Sequence, residues 1–394
     1  MFQIFSIAAV WMALALVSAA IARRLKVAGA LSEILVGVAA AALISRYVDS
    51  DFLCAKQPWL TFITSCGAVM LTFLAGSEIN YSTLKTKWKE VIIVGIIGFL
   101  APFLGCAAVA RFVLGWSAQS SWLAGIALST TSMAVVYAVM IEFGFNKTEF
   151  GKGILAACFV NDLGTVLALG FIFAPFTYKT AVFFGASAVI IALLPFLTNK
   201  IAERYAFKTA AIRTKWILFV LFGLGALALW ADSEAILPAY VAGMVLSGGH
   251  VGGDKDYIRR LRTMTVGFFA PIYFLRAGSL VSLPALVAVP MIFFVLLAAK
   301  TATKIFGLYP VIGFFRRDKK ERWYYTLLMS TGLTFGTISA LYGFSRGIID
   351  QTQYSHLVAV VIGSAVFPTL IANALFLPRH LLALGKTPPN AERT

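Results

Sequence analysis

Three ionisable side chains stand out inside apolar runs, where a charge is costly and usually functional. Asp162 sits in Cys158-Phe159-Val160-Asn161-Asp162-Leu163-Gly164, and Lys300 and Lys304 lie one helical turn apart in Ala299-Lys300-Thr301-Ala302-Thr303-Lys304. A carboxylate in such a setting holds either a small cation or a proton, and it must release one to take the other. That competition is the minimum apparatus for exchanging a cation against a proton. The plainer alternative for Asp162 is a structural ion pair with a lysine. Snorkelling to the membrane interface suits Lys304 better than the more central Lys300.

Two further segments combine hydroxyl side chains and glycine in the middle of apolar runs: Leu128-Ser129-Thr130-Thr131-Ser132, and Ser330-Thr331-Gly332-Leu333-Thr334-Phe335-Gly336-Thr337. Such residues favour local unwinding, and backbone freed at membrane depth is tolerated only inside protein or beside a water-filled cavity. On one segment alone, close helix packing through Gly332 and Gly336 would explain the pattern. Two such segments, correctly spaced, point instead to a transport site.

The elements that position these residues follow from composition. Of the 394 residues 60% are hydrophobic and 13% charged, with a mean hydropathy of +0.87, against about half and a quarter in a soluble domain. This excludes a soluble enzyme and a disordered chain and predicts an all-α polytopic membrane protein. Cutting at charged or Pro/Gly-rich breaks gives thirteen spans of about the length a bilayer needs. They run 3–22, 26–45, 59–77, 91–113, 120–142, 151–173, 180–198, 215–231, 234–249, 264–281, 284–308, 322–345 and 355–377. The interrupted spans are the fifth and the twelfth. Being seven apart they point in opposite directions, which is the arithmetic of two inverted six-helix repeats around one linker span, with crossed broken helices at the repeat interface.

The 33 Lys and Arg against 17 acids give a net charge of +16, but the basic residues fall in short blocks between spans, which is the positive-inside pattern and not a nucleic-acid footprint. One set of alternate loops holds 25 of them; the other holds Arg46, Lys56, Lys179 and Arg346. The N-terminus is therefore expected outside and the C-terminus cytoplasmic, with the first helix retained, since its positive charges follow its apolar run. The four cysteines show no metal or disulfide spacing. Motifs for a zinc protease, a nucleotide-driven pump and a serine hydrolase are absent, so no enzymatic activity and no cofactor are expected.

These residues resemble the monovalent cation/proton antiporters, specifically the cation:proton antiporter-2 branch. Ala127 to Ser132 looks like that branch's unwound span, Asn161-Asp162 like its paired ion-site position, Phe73-Leu74-Ala75-Gly76-Ser77-Glu78 like its third-span motif, and Lys300 like its basic residue opposite the ion. The resemblance implies a homodimer with a scaffold of spans 3–77 and 215–281, a linker span at 180–198, and an elevator-like core of spans 91–173 and 284–377. On this reading Asp162 is the shared ligand for Na+ or K+ and for H+, with Asn161 beside it and Thr130, Thr131, Ser132 or freed carbonyls completing the oxygen shell. Lys300 and Lys304 balance charge. From its place at the cytoplasmic end of span three, Glu78 either draws cations into a funnel or is a solvated helix end. Electrogenic members carry two adjacent aspartates, whereas the first position here is Asn161, which favours one-for-one electroneutral exchange. The alternative is an electrogenic cycle with Lys300 as a second proton carrier. No soluble regulatory domain is expected after Pro378. A sodium-coupled organic-anion symporter on the same architecture would require a larger, more polar cavity. A passive channel would conduct without counter-transport, and an intramembrane aspartyl protease would need a second deep aspartate.

Overall fold

The computed structural model describes residues 2–25, 28–47, 53, 55, 57–77, 86–145, 148–173, 177–205, 211–231, 233, 235–247 and 256–381. Glu78 lies outside them. Among the described residues the regular structure is helical throughout. In chain order the α-helices are α1 (Phe2–Leu25), α2 (Gly29–Tyr47), α3 (Pro58–Ser77), α4 (Trp88–Ala108), α5 (Ala118–Ser129), α6 (Met133–Glu142), α7 (Glu149–Ile172), α8 (Tyr178–Tyr205) and α9 (Ile212–Trp230). They continue with α10 (Ile236–Ser247), α11 (Asp256–Met264), α12 (Ala270–Ser279), α13 (Leu283–Ala288), α14 (Pro290–Phe315), α15 (Lys319–Met329), α16 (Thr334–Ser345) and α17 (Gln351–Leu375).

Nine helical segments among the described residues are long and apolar enough to cross a membrane, and α10 and residues 29–44 of α2 are shorter apolar helices. The two remaining expected spans, the fifth and the tenth, are both interrupted. The fifth is divided into α5 and α6, and the tenth begins with α11, which carries Arg259, Arg260 and Arg262 and passes through a π-helical turn at Thr265–Phe269 into α12. The eleventh span is also divided, at Val289. Its backbone (φ −136°, ψ 64°) leaves the helical region because the following Pro290 disfavours it there.

The chain divides into two compact units. The first comprises Met1–Leu25, Ser32–Ile79 and Val166–Leu280, and the second Lys26–Leu31, Asn80–Thr165 and Val281–Thr394. Within the first unit, two helix pairs meet backbone to backbone through glycine. A Cβ on Gly37 of α2 would strike the carbonyl of Leu275 in α12, and one on Gly278 would strike that of Ile34; Gly76 of α3 and Gly243 of α10 stand in the same reciprocal relation to Tyr240 and Phe73. Small residues permit this approach where hydrophobic burial gives no drive for helices to associate. The pairs join spans two with ten and three with nine. Shifting each span by seven exchanges one pair for the other, so the packing obeys the inverted repeat. Arg276 of α12 pins the same unit by donating to Ala55 O (2.6 Å), Thr64 Oγ1 (3.0 Å) and Thr61 Oγ1 (3.1 Å).

The second unit carries the broken helices. α4 packs along α5 and α14, α16 lies against α5 and α17, and the charged residues of α7 and α14 belong to this unit.

Candidate functional site

The fifth span stops being helical at Ser129 and resumes at Met133, with Thr130 extended (φ −61°, ψ 150°). The twelfth stops at Met329 and resumes at Thr334, with Leu333 irregular (φ −152°, ψ −75°). The two breaks hydrogen-bond to one another: Ser132 N donates to Thr331 O (3.1 Å) and Thr131 Oγ1 donates to Met329 O (2.8 Å). Backbone groups orphaned by one break are thus partly satisfied by the other, which is why both occur at one depth. Thr130, Thr131, Ser132, Ser330 and Thr331 are all buried to within 1% exposure.

Glycine makes the crossing possible. A Cβ on Gly332 would collide with Lys300 Nζ and press on Thr130 Oγ1 (3.0 Å) and Ser364 Oγ (3.3 Å). One on Gly336 would stand 2.8 Å from Val361 Cγ2 and 2.9 Å from Ala127 O. Thr334 begins α16, whose N-terminus joins that of α6 at the breaks, while α5 and α15 bring their C-termini there. The crossing therefore offers both signs of helix-end partial charge.

Both lysines of α14 are fully buried and reach the first break. Lys300 Nζ donates to Thr130 O (3.4 Å), beyond the end of α5, and Lys304 Nζ donates to Thr131 Oγ1 (3.0 Å). Snorkelling is therefore wrong for Lys304. Spaced four apart, the two lysines share one face of α14, and that face is turned to the breaks and away from the interface. Lys304 also lies within electrostatic reach of Asp162 and Lys300.

Asp162 is 3% exposed, and its neighbour Asn161 is completely buried. Neither polar atom of the Asn161 carboxamide has a protein hydrogen-bond partner among the described residues. Room for this amide is left by Gly98 of α4, whose added Cβ would stand 3.4 Å from Asn161 Nδ2 and 3.3 Å from Met329 Cε. A buried amide with a donor and an acceptor unspent is the sort of group that a transported ion or its water satisfies. One turn before Asn161, Cys158 Sγ contacts Met329 Sδ at 3.5 Å and fixes α7 against the end of α15.

The structure thus brings Asn161, Asp162, Thr130, Thr131, Ser132, Lys300, Lys304 and the second break into one unit. No residue spacing points to the Cys158–Met329 contact or to the pairing of Arg316 with Glu90, in which Arg316 Nε and Nη2 both bond the carboxylate (2.9–3.0 Å). His356 is fully buried in α17. Its Nδ1 faces Thr352 O (2.8 Å) and its Nε2 faces Val289 O (3.0 Å) at the division before α14. Cys66, Cys106 and Cys158 are free and buried.

With this geometry in hand, comparison with known proteins is decisive. The family model described as the transmembrane region of sodium/hydrogen exchangers matches residues 12–377. The chain belongs to this family. Among curated relatives of this exchanger is a probable Na(+)/H(+) antiporter 3 of Methanocaldococcus jannaschii, 25% identical over 81% of this chain and 84% of the relative. A Na(+)/H(+) antiporter of Enterococcus hirae is 24% identical over 89% and 92%. The Na(+)/H(+)-K(+) antiporter GerN of Bacillus cereus is 22% identical over 84% and 86%. The solved sodium proton antiporter MjNhaP1 of Methanocaldococcus jannaschii superposes with a TM-score of 0.68 across 98% of both chains at 16% identity, a likeness of fold.

Proposed function

We propose that this exchanger is a secondary antiporter that moves a monovalent cation, Na+ or K+, against H+ with Asp162 as the shared site. The observation that carries this reading is the buried Asn161–Asp162 pair, which lies in one unit with two mutually bonded helix breaks and two buried lysines. Na+ and H+ are named for the M. jannaschii and E. hirae relatives, and K+ for GerN. In the proposed cycle Lys300 and Lys304 hold the break oxygens while the site is free of cation. An arriving cation competes for Thr131 Oγ1 and Asp162, and its departure lets a proton return.

The finer proposal is an elevator: a core of residues 91–173 and 284–377 carries the site across a scaffold of 3–77 and 215–281, in a homodimer. Exchange is one-for-one. The direct test is proton flux in proteoliposomes driven in turn by Na+, K+ and Li+ gradients. Absence of flux with every cation would overturn the reading, and flux driven by an organic anion with Na+ would replace it with the symporter.

Thr131 gives a graded test. Thr131→Val removes one oxygen and should raise the cation concentration for half-maximal exchange about tenfold, the equivalent of one hydrogen bond to a charged group, while leaving the maximal rate within about twofold. Thr131→Ser should restore the affinity. An unchanged affinity in the valine variant would remove Thr131 from the ligand set.

The proposed orientation places the N-terminus outside. Single cysteines at Lys319 and at Lys179 should then react with an impermeant maleimide from opposite sides, the first cytoplasmic and the second external. Labelling of both from one side would break the thirteen-span arrangement.

A further inference from the structure

The corner between α14 and α15 is strongly basic and only partly neutralised. Arg316 is held by Glu90 and lies near Glu321 (3.9 Å), Glu321 is also bonded to His380 (2.9 Å), and Asp318 caps α15 through Lys320 N and Glu321 N. Those contacts engage the acids of the corner. Arg317, Lys319, Lys320 and Arg322 have no carboxylate partner among the described residues.

Arg322 is not a free surface side chain. Its guanidinium lies over the Tyr309 ring (4.5 Å to the centroid), Nη2 donates to Tyr309 O (3.4 Å), and Nε is buried without a hydrogen-bond partner among the described residues. Gly313 makes room for it, since a Cβ there would collide with Nη2. Lys319, three residues before Arg322, lies on the same face of α15. Beside them runs an aromatic row: Tyr309 against Trp323 (4.5 Å) and Trp323 against Phe376 (5.4 Å). On the same helix as Tyr309, Phe306 and Phe314 are 79% and 86% exposed.

Tyr and Trp rings beside unneutralised guanidinium and ammonium groups, next to a wide-open apolar helix face, match the cross-section of one molecule: an acidic headgroup above acyl chains. We propose that this corner is a binding site for an anionic phospholipid. Lys319 and Arg322 take the phosphate, Tyr309, Trp323 and Phe376 stand at the glycerol level, and Phe306 and Phe314 border the acyl chain. A guanidinium held flat by Tyr309 and Gly313 is preorganised for phosphate oxygens in a way that a mobile lysine is not. The site stands at the junction between the helix bearing Lys300 and Lys304 and the one ending at the second break, so lipid held there braces both arms of the transport site.

The test is native mass spectrometry of the intact protein in nanodiscs and detergent, titrated with phosphatidylglycerol and, separately, phosphatidylcholine. The wild type should retain phosphatidylglycerol in preference to phosphatidylcholine. Lys319→Gln, an exposed change that leaves the fold alone, should weaken that preference about fivefold, and Lys319→Gln with Arg322→Gln about 25-fold, from about 1 kcal/mol per basic residue. Arg23→Gln with Lys200→Gln, a control pair in the first unit, should leave it unchanged. Equal retention of the two lipids, undiminished preference in the double variant, or equal loss in the control pair would each overturn the site. If millimolar inorganic phosphate displaced the phosphatidylglycerol, the lipid assignment would also fall.

Discussion

Replacing Asp162 by Asn should reduce cation-driven proton flux to the leak of protein-free liposomes while the protein still elutes as a folded species. Asparagine keeps the size of the side chain and its hydrogen-bonding capacity, and the neighbouring Asn161 is itself a fully buried carboxamide on α7. What disappears is the charge that, on the proposed function, is neutralised alternately by a cation and by a proton. Lys304, within electrostatic reach of Asp162, loses its carboxylate neighbour in the variant and is left as an uncompensated buried cation. The variant should therefore melt earlier than the wild type, and added Na+ should no longer raise its melting temperature, because a ligand stabilises a fold only where it binds. Coupled flux at the wild-type rate, or unchanged stabilisation by Na+, would remove the cation from Asp162.

Much of this architecture is legible in the sequence because a membrane makes departures from apolarity conspicuous. Ser129 to Ser132 and Ser330 to Thr337 announce the breaks, and Asp162, Lys300 and Lys304 announce the charges, since each is costly unless served by a neighbour. The facing of these groups is less legible. Nothing in the spacing of Lys300 and Lys304 says whether their shared face of α14 turns to lipid or to the breaks. That depends on the rotation of α14 against α4, where Gly105 meets Thr303 and Gly307 meets Ala101. His356 escapes for a related reason. One of its carbonyl neighbours is local, four residues back, but the other, Val289 O, exists as an open acceptor only because Pro290 starts a new helix. Arg276 carried a visible signal, a guanidinium inside an apolar run, and its partners Thr61 and Thr64 lie one turn of spacing apart on α3.

The membrane potential offers the sharpest discrimination between the two cycles. With Asn161 in the first position, the site has one carboxylate to neutralise. If Na+ on Asp162 alternates with H+ on Asp162, the core carries the same net charge in both loaded states. If Asp162 stays ionised and a lysine releases its proton to water as the cation arrives, the charge again balances one for one. Only release from both groups moves a second proton per cation. Liposomes free of K+, at equal pH and equal Na+ on both sides and held at 100 mV by a gradient of the permeant anion thiocyanate, should therefore show no net Na+ or H+ movement. One net charge per cycle is worth about 2.3 kcal/mol at 100 mV, enough to build a Na+ gradient of about 50-fold, so the outcomes are well separated. A potential-driven gradient would make the cycle electrogenic and call for a second proton carrier. The structure would then assign it to Lys304 ahead of Lys300, because Lys304 bonds the Thr131 hydroxyl and stands within reach of Asp162, whereas Lys300 is committed to the carbonyl of Thr130. In that event Lys304→Gln should abolish the dependence on potential while Lys300→Gln preserves it.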